Sequence, residues 1–365
     1  MKKQIPTVSI NFDNLNCTSD KKIELKNIEL KISGLRNPYI GNKKKLIQFI
    51  VENLDKHNVN YTNICDLFAG SSYVSLAFKE LNSNVISNEL MNWAYLISLA
   101  YIENNEFLAT KKKWEELCFS NNNENKEIIV VKDDFFINSF NDNELKTIEN
   151  YRKNVEQISD KYEYATMMSL MNCYILDHCF VGGRLYKNQC ITKYDHRINH
   201  VRNNGHYMRF NDVHICNFIN NNTLCKSYNY DVFDFVDKTT INEDTLIYID
   251  PPYGSQQSDY LRMFRWNEEF VLNKKIESLP YFNNSKKFIN TKTYMDNFLE
   301  LLYKLSKFKT LVISYNEKSW ASIDEIGKII KDSGRSIIVE ELKYRYRHRK
   351  INDCIGKEYL IIVRT

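Results

Sequence analysis

Residues 64–72 read ICDLFAGSS, in which an apolar stretch that predicts a buried strand runs into a glycine turn. The apolar residues after this turn recur at the spacing of one helix face: Val74, Ala77, Phe78 and Leu81. Ser71 or Ser72 is placed to cap the start of that helix. Residues 84–87 then predict a second strand, which leads to Glu89. This order of strand, glycine turn, helix, strand and acid indicates a βαβ unit of nucleotide-binding type.

Strand and helix patterns alternate again in the second half of the chain. Residues 245–250 (TLIYID) predict a buried strand, and further strands are predicted at 224–235, 310–314, 336–341 and 359–363. A polar, basic and aromatic stretch lies between the two halves, with a helical pattern over 143–180. We therefore expect a doubly wound α/β fold with a mixed, mostly parallel sheet and an inserted, mainly helical domain.

The same patterns predict how the chain is divided. We expect an N-terminal arm (1–35), an α/β domain in two segments (36–105 and 223–365) and the insertion (106–222). Strands that alternate with helices are predicted only in the two outer segments, so the sheet must be assembled from both of them.

The composition excludes several classes of protein. The 365 residues are 43% hydrophobic and 26% charged, with a net charge of +4, which is ordinary for a globular chain and argues against a disordered, fibrous or membrane protein. No apolar run approaches the length of a signal sequence or of a membrane span. Nine cysteines without a C-x-x-C pair are typical of reduced thiols, and we expect a cytoplasmic location.

Residues 250–253 read Asp-Pro-Pro-Tyr and come after the predicted strand at 245–250, at the sheet edge where ligands bind in open α/β folds. Proline cannot donate to a sheet ladder, so Pro251 and Pro252 end the strand and stiffen the segment beyond it. The Asp250 carboxylate and the Pro251 carbonyl are two acceptors suited to the two N–H bonds of an exocyclic amino group on a planar base. They are fixed where positive charge develops during attack by that nitrogen. Tyr253 can stack on the face of the base.

With these motifs in this order, the sequence resembles the Dam-type DNA N6-adenine methyltransferases, which include enzymes of type II restriction–modification systems. The resemblance covers most of the chain from Arg36 onward, except the insertion. It implies a Rossmann-like methyltransferase fold and transfer of a methyl group from S-adenosyl-L-methionine to a flipped-out adenine in duplex DNA. Asp250, Pro251, Pro252 and Tyr253 would be the catalytic residues.

The resemblance also implies a set of cofactor-binding residues. Residues 37–43 (NPYIGNK) are similar to the family's N-terminal cofactor motif, and residues 66–72 to its motif D-x-F-x-G-x-G, with serine in place of the last glycine. Glu89 falls where an acid accepts ribose hydroxyls, and an acid within residues 228–233 (YNYDVF) matches the one near the cofactor adenine. The full set implied is Tyr39, Lys43, Asp66, Phe68, Gly70, Glu89 and Asp231.

Two basic segments interleaved with aromatic residues are predicted to contact double-stranded DNA. A base inside a duplex must rotate out of the stack before it reaches a strand-end pocket, and phosphate contacts from Arg and Lys offset that cost. The insertion supplies Arg184, Lys193, Arg197, Arg202 and Arg209, and the C-terminal segment supplies Arg345, Arg347 and Arg349. We expect the insertion to read the target sequence and the stretch at 254–270 to close over the base as a loop.

Several alternatives stay open at this point. The enzyme could methylate the N4 amino group of cytosine or adenine in RNA, although the motif order and the place of the insertion favour adenine in DNA. A catalytically inactive DNA-binding regulator is disfavoured by the intact residues 250–253. His196 and His200 have a zinc-ligand spacing, but no cysteine pair accompanies them and methyl transfer needs no metal, so no metal site is predicted. We expect a monomer, and the sequence leaves open whether a cognate restriction endonuclease shares its recognition site or the enzyme acts alone.

Overall fold

A computed structural model describes most of the chain outside the N-terminal arm and the second half of the insertion. The described residues are 8–9, 29–30, 39, 41–106, 109–120, 126–179, 223–253, 259–283, 287–288, 290, 292–317, 319, 321–345 and 355–365. Within the predicted arm, Val8–Ser9 and Glu29–Leu30 pair as a short antiparallel ladder.

A single seven-stranded sheet organises the rest of the described chain. Its strands are β1 (Asn63–Asp66), β2 (Asn84–Asn88), β3 (Lys226–Tyr228), β4 (Leu246–Ile249), β5 (Thr310–Asn316), β6 (Ser336–Arg345) and β7 (Ile355–Arg364). They lie side by side in the order β3-β2-β1-β4-β5-β7-β6. β7 runs antiparallel to both of its neighbours, and every other pair is parallel. The mixed, mostly parallel sheet predicted from the sequence is therefore confirmed.

Helices cover both faces of this sheet. They are α1 (Ile47–Lys56), α2 (Tyr73–Glu80), α3 (Asn92–Ser98), α4 (Lys111–Phe119), α5 (Asp134–Ser139), α6 (Asp142–Val155), α7 (Lys161–Cys179), α8 (Val232–Lys238), α9 (Tyr260–Met263), α10 (Arg265–Leu272), α11 (Tyr294–Lys304) and α12 (Ile323–Asp332). α3 continues directly into a π-helical turn, Leu99–Glu103. Among these described helices, none is both long and apolar enough to cross a membrane.

Alternate residues of the central strands belong to different cores. Leu246 and Tyr248 of β4 pack into a large cluster with α1, α2, α3 and the helices α4 to α7, α9 and α10. Ile247 and Ile249 pack into a second cluster with α8, α11 and α12. All four residues of β4 are buried, as expected for a parallel strand covered on both faces. The sheet is thus doubly wound, and its polar strand ends are left to form a site.

The structure corrects three local predictions. The strand predicted over 224–235 is wrong beyond Tyr228, because the Asp231 side chain accepts a hydrogen bond from the backbone N–H of Phe233 and starts α8. The helical stretch predicted over 143–180 is two helices, α6 and α7. The closing loop predicted over 254–270 is wrong from Tyr260 onward, where the chain forms α9 and α10 and buries its apolar face in the larger core.

Helix α7 packs directly on α10, and Arg152 of α6 binds the last turn of α10. The buried Arg152 guanidinium of α6 donates from Nε to the carbonyl of Phe270 at 2.6 Å and from an Nη to that of Val271 at 2.8 Å. These carbonyls belong to the last turn of α10, where no backbone donor remains to satisfy them. The mainly helical character predicted for the insertion holds over its described part, and its boundaries stay a prediction.

A buried lysine joins α2 to the π-helical turn behind the sheet edge. Lys79 has no exposed surface, and its ammonium donates to the carbonyls of Tyr101, Ile102 and Asn104 at 3.3, 2.7 and 3.0 Å. These carbonyls lie at a helix end and would otherwise lack donors. Because α2 comes after β1 and α3 comes after β2, this contact fixes the two helices that leave the strand ends.

Replacing Lys79 should therefore cost stability. Lys79→Met keeps the length of the side chain but leaves buried carbonyls without a donor, and we expect the free energy of unfolding to fall by roughly 2–4 kcal/mol. Urea denaturation followed by circular dichroism measures this. Lys328→Met on the exposed face of α12 is the control and should change stability by less than about 0.5 kcal/mol. An equal loss in the two variants would contradict the role given to Lys79.

Candidate active site

A cleft opens where β1, β2 and β4 end at their carboxyl edges. Most of the site residues predicted from the sequence line it, namely Tyr39, Lys43, Asp66, Phe68, Gly70, Glu89, Asp231, Asp250, Pro251 and Pro252. Tyr253 lies beside it and bonds to two of these residues. Parallel strands bring their carboxyl ends to one edge of a sheet, which is why segments far apart in sequence meet here. The structure brings the predicted catalytic and cofactor residues together, and their individual roles stay predictions.

The Asp250 carboxylate is bound on both oxygens by side chains of the protein itself. The Lys43 ammonium lies 2.7 Å from Oδ2, and the Tyr253 hydroxyl donates to Oδ1 at 2.5 Å. Lys43 also donates to the Tyr253 hydroxyl at 2.9 Å and to the Gly41 carbonyl at 3.2 Å. An amino group that enters this end of the cleft competes with these two donors for Asp250.

The contacts of Lys43 with Asp250 and Tyr253 could not be predicted from the sequence. The resemblance assigns Lys43 to the cofactor, whereas in the structure its ammonium sits between Asp250 and Tyr253. Lys43 and Tyr253 are 210 residues apart in the chain, and no local pattern links them. Only the strand order, which places β4 beside β1, brings the Asp250 segment to the Lys43 segment.

Glu89 ties the ends of β1 and β2 together. Its Oε2 accepts the backbone N–H of Gly70 at 2.7 Å, and its Oε1 accepts the backbone N–H of Met91 at 3.0 Å. Gly70 has a φ of +48°, and a Cβ there would lie 3.2 Å from the Tyr39 ring. The position therefore needs glycine both for its backbone and for the close approach of the ring.

Ser72 takes the place of the last glycine of the family motif and keeps its backbone shape. Its φ is +59°, in the left-handed region that glycine adopts without strain. The side chain makes no capping bond to α2, and its hydroxyl instead pairs with that of Ser98 at 2.6 Å. The predicted capping role of Ser72 is wrong for this reason, while the turn retains its form.

Asp66 is buried with one oxygen unpaired. Its Oδ2 accepts a hydrogen bond from the Ser75 hydroxyl at 2.7 Å, and its Oδ1 has no partner among the described residues, although Asp66 lines the cleft. Burial raises the pKa of Asp66 to about 7 and that of Glu89 to about 7. A buried carboxylate oxygen that lacks a hydrogen-bond donor is unfavourable, so Oδ1 is suited to a ligand cation.

The other parts of the cleft wall are aromatic. Tyr39 is stacked against Trp93, Tyr260 and Phe264, with ring centroids 4.7–5.6 Å apart. Farther along, the ring of Phe68 meets that of Phe288 edge-on at 5.6 Å. Such walls favour flat, apolar groups.

Sequence reasoning missed Tyr260 and Phe288, which line the cleft from the segment after residues 250–253. Neither belongs to a periodic pattern that would have drawn attention to it. Asp231 also lines the cleft, but its Oδ1 accepts both the Phe233 N–H and the Lys287 ammonium. That oxygen is therefore occupied within the fold.

Most of the predicted DNA-binding residues lie outside the described residues. These are Arg184, Lys193, Arg197, Arg202, Arg209, Arg347 and Arg349, together with His196 and His200. Arg345 is the last residue of β6, at the end of the hairpin that β6 forms with β7. Among the described residues, no group of His, Cys, Asp and Glu is arranged to hold a metal ion.

The antiparallel strand β7 lies between β5 and β6 in an otherwise parallel sheet, which gives a Rossmann-like α/β fold. The glycine turn and Asp-Pro-Pro-Tyr lie at neighbouring strand ends of this sheet. A family model described as D12 class N6 adenine-specific DNA methyltransferase matches residues 39–329. The chain belongs to this family, and it is an adenine-specific DNA methyltransferase. The family confirms the prediction of adenine in DNA over cytosine, RNA or an inactive regulator.

Similar proteins include type II methyltransferases and a modification methylase. The chain is 25% identical over 321 residues to the type II methyltransferase M2.HphI of Haemophilus parahaemolyticus, covering 85% of this chain and 91% of the relative. It is 22% identical over 365 residues to the type II methyltransferase M.NlaIII of Neisseria lactamica, covering 89% and 98%. Modification methylase StsI of Streptococcus sanguinis is 25% identical over 327 residues, and the match covers 85% of this chain but 48% of that longer relative.

The Gly70 turn gives a stability test with an internal control. Gly70→Ala should lower the free energy of unfolding by roughly 1–3 kcal/mol, because the new Cβ meets the Tyr39 ring and the left-handed backbone becomes strained. Gly327→Ala in α12 places its Cβ in ordinary contact at 3.7 Å and should stabilise by up to about 1 kcal/mol. Thermal unfolding of both variants measures the difference. A Gly70 variant as stable as the native chain would rule out the close approach.

Proposed function

We propose that the protein transfers the methyl group of S-adenosyl-L-methionine to the N6 amino group of an adenine that has rotated out of duplex DNA. One observation carries this proposal. A single cleft has an unpaired, buried carboxylate oxygen at Asp66 and a rigid pair of acceptors at Asp250 and Pro251. The first suits the ammonium of the methyl donor, and the second suits the amino group of the acceptor.

Several residues of the cleft fit the methyl donor. Asp66 Oδ1 would accept a hydrogen bond from the ammonium, and the Gly70 turn lines the cleft beside it. Glu89 would accept hydrogen bonds from the ribose with the lone pairs that its backbone contacts leave free. Phe68, with Phe288 behind it, offers an apolar wall for the adenine ring. When bound, S-adenosyl-L-methionine supplies a methyl group on a positively charged sulfur.

At the other end of the cleft, the chain would hold and polarise the target amino group. The nitrogen lone pair of adenine N6 is delocalised into the ring, so the free amino group is a poor nucleophile. Hydrogen bonds to the Asp250 carboxylate and the Pro251 carbonyl favour a more tetrahedral nitrogen and stabilise the positive charge that develops on it. Pro252 keeps this segment rigid, and Tyr253 would stack on the base.

In the free protein, the Lys43 ammonium lies beside Asp250, where we propose that the adenine amino group binds. The ammonium lies 2.7 Å from Asp250 Oδ2, and the side chains of Lys43 and Asp250 are 7% and 17% exposed. A carboxylate left unpaired in such a site would be destabilising. In our proposal the adenine amino group takes over one of the contacts of Asp250 as the base enters, so the charge is never left without a donor.

The remaining parts of the proposal concern DNA and partners. Phosphate contacts from the insertion and from the hairpin of β6 and β7 would offset the cost of extracting the base. We propose a role in a restriction–modification system, supported by the names of the relatives, which are a type II methyltransferase and a modification methylase. A monomeric state and a cytoplasmic location stay predictions.

Asp250→Ala tests the catalytic assignment. The variant should lose at least about a hundredfold in methyl transfer because it lacks the main group that stabilises the charged nitrogen. Binding of S-adenosyl-L-methionine should change by less than about threefold, since Asp66 and Glu89 remain. Transfer of a labelled methyl group to DNA and calorimetric titration measure the two quantities. Asp237→Ala, at an exposed position of α8, is the control. Native transfer rates in Asp250→Ala would overturn the mechanism.

The raised pKa values predict how pH affects cofactor binding. Asp66 must be ionised to pair with an ammonium, and its pKa in the free protein is about 7. Affinity for S-adenosyl-L-methionine should therefore fall as the pH drops below 7, by roughly tenfold from pH 8 to pH 6 for each acid that must ionise. The free protein should instead lose stability as the pH rises through about 7, because the pKa of Asp66 is higher in the folded chain than in the unfolded chain.

Calorimetry between pH 6 and pH 8 tests this dependence. Asp66→Asn should bind more weakly at pH 8 and lose the part of the pH dependence that Asp66 contributes. Glu89, whose pKa is also about 7, should supply the part that remains. An affinity that is independent of pH in the native protein would contradict the contact between Asp66 and the ammonium.

A further inference from the structure

The segment after Asp-Pro-Pro-Tyr carries a buried acid with an unusual set of partners. Glu268 of α10 has no exposed surface, and its Oε1 accepts the backbone N–H of Asn92 at 2.9 Å and the Asn92 side-chain amide at 3.0 Å. Its Oε2 accepts the backbone N–H of Trp93 at 2.9 Å. The Tyr281 hydroxyl also donates to Oε1. The four donors surround one carboxylate.

These contacts supply a cap that α3 lacks. Met91 stands at the N-cap of α3 and provides no side-chain hydrogen bond. The first N–H groups of a helix need acceptors, and a carboxylate there is favoured by the charge distribution of the helix. Glu268 meets this need from a different element, which begins more than ten residues after the catalytic motif.

The start of α3 is also part of the wall of the cleft. Asn88, Glu89, Leu90 and Met91 line the cleft immediately before α3 begins. Glu89 accepts the N–H of Met91 and holds the Gly70 turn. A displacement of the first turn of α3 would therefore move Glu89 and, through it, Gly70.

A second set of contacts joins the same elements. Phe264, which immediately precedes α10, stacks on Tyr39 at 4.7 Å and lies 5.0 Å from Trp93. Tyr39 in turn packs against Gly70. Glu268 thus secures α10 to α3 on the side where Trp93 and Phe264 pack against Tyr39, which lines the cleft.

We infer that Glu268 is a positioning residue for the cofactor end of the cleft, acting through the backbone of Asn92 and Trp93 on Glu89 and the Gly70 turn. The inference rests on the proposed binding of S-adenosyl-L-methionine at that end. Helix α10, which follows the catalytic motif, thereby contributes to cofactor affinity separately from binding of the target base.

Glu268→Gln tests this inference and has a matched control one residue away. Glu269 is equally buried on the same helix, but its partners are Arg265, Lys275 and the N–H of Ile276, none of which belongs to α3. Glutamine in place of Glu268 turns one acceptor into a donor facing N–H groups. We expect the dissociation constant for S-adenosyl-L-methionine to rise roughly tenfold in Glu268→Gln and less than about twofold in Glu269→Gln.

A further readout separates positioning from general destabilisation. The KM for S-adenosyl-L-methionine should rise in Glu268→Gln while the KM for DNA stays within about twofold. Both variants should have lowered melting temperatures, because each disturbs a buried acid. A similar shift of cofactor affinity in both variants, or in neither, would overturn the inference.

Tyr281→Phe keeps the inference testable should Glu268→Gln fail to fold. It removes one donor to Glu268 and leaves the carboxylate in place, so cofactor affinity should fall by roughly two- to threefold. An unchanged affinity in this variant would then count against the inference. Absence of S-adenosyl-L-methionine binding by the native protein would instead refute the proposed function, which distinguishes the two failures.

Discussion

The Glu89 carboxylate is the contact on which the geometry of the cleft depends. It bonds to the N–H of Gly70 after β1 and to the N–H of Met91 before α3, so two neighbouring strand ends become one unit. Asp66 and Gly70 are placed by this unit, and Tyr39 rests on it. Burial of an acid in such a site is unfavourable unless its oxygens are satisfied. The structure satisfies them with backbone donors, which cannot turn away as side chains can.

Local periodicity made the sheet predictable. β1, β2 and β4 are short apolar strands, and each is followed within a few residues by the glycine, acid or proline that ends it. Such local patterns can be recognised in a single sequence. The cleft residues could be predicted for the same reason, because parallel strands carry their terminal residues to a common edge. The end of β3 was harder to predict, because Asp231 stops an otherwise apolar stretch by capping a helix.

Long-range contacts account for what could not be predicted. The helix α10 contains Arg265, Glu268 and Glu269, a pattern that is typical of a solvated surface. In the structure Glu268 accepts the backbone N–H of Trp93 in α3, and the buried Glu269 pairs with Arg265, which also lies 3.7 Å from Asp133. The place of Lys43 likewise depends on a segment 210 residues away. Such pairs obey ordinary electrostatics, but a single sequence does not say which charges will meet.

The network of Lys43, Tyr253 and Asp250 has a consequence for selectivity. Because Lys43 and Tyr253 each donate to one oxygen of Asp250, the carboxylate is oriented and its charge is balanced before any ligand enters. Each carboxylate oxygen can accept a second hydrogen bond, so in our proposal a water molecule, a small amine and an adenine amino group compete on equal terms for Asp250. An adenine would add the burial of a flat aromatic surface, and selection of a base would therefore come from its ring as much as from its nitrogen.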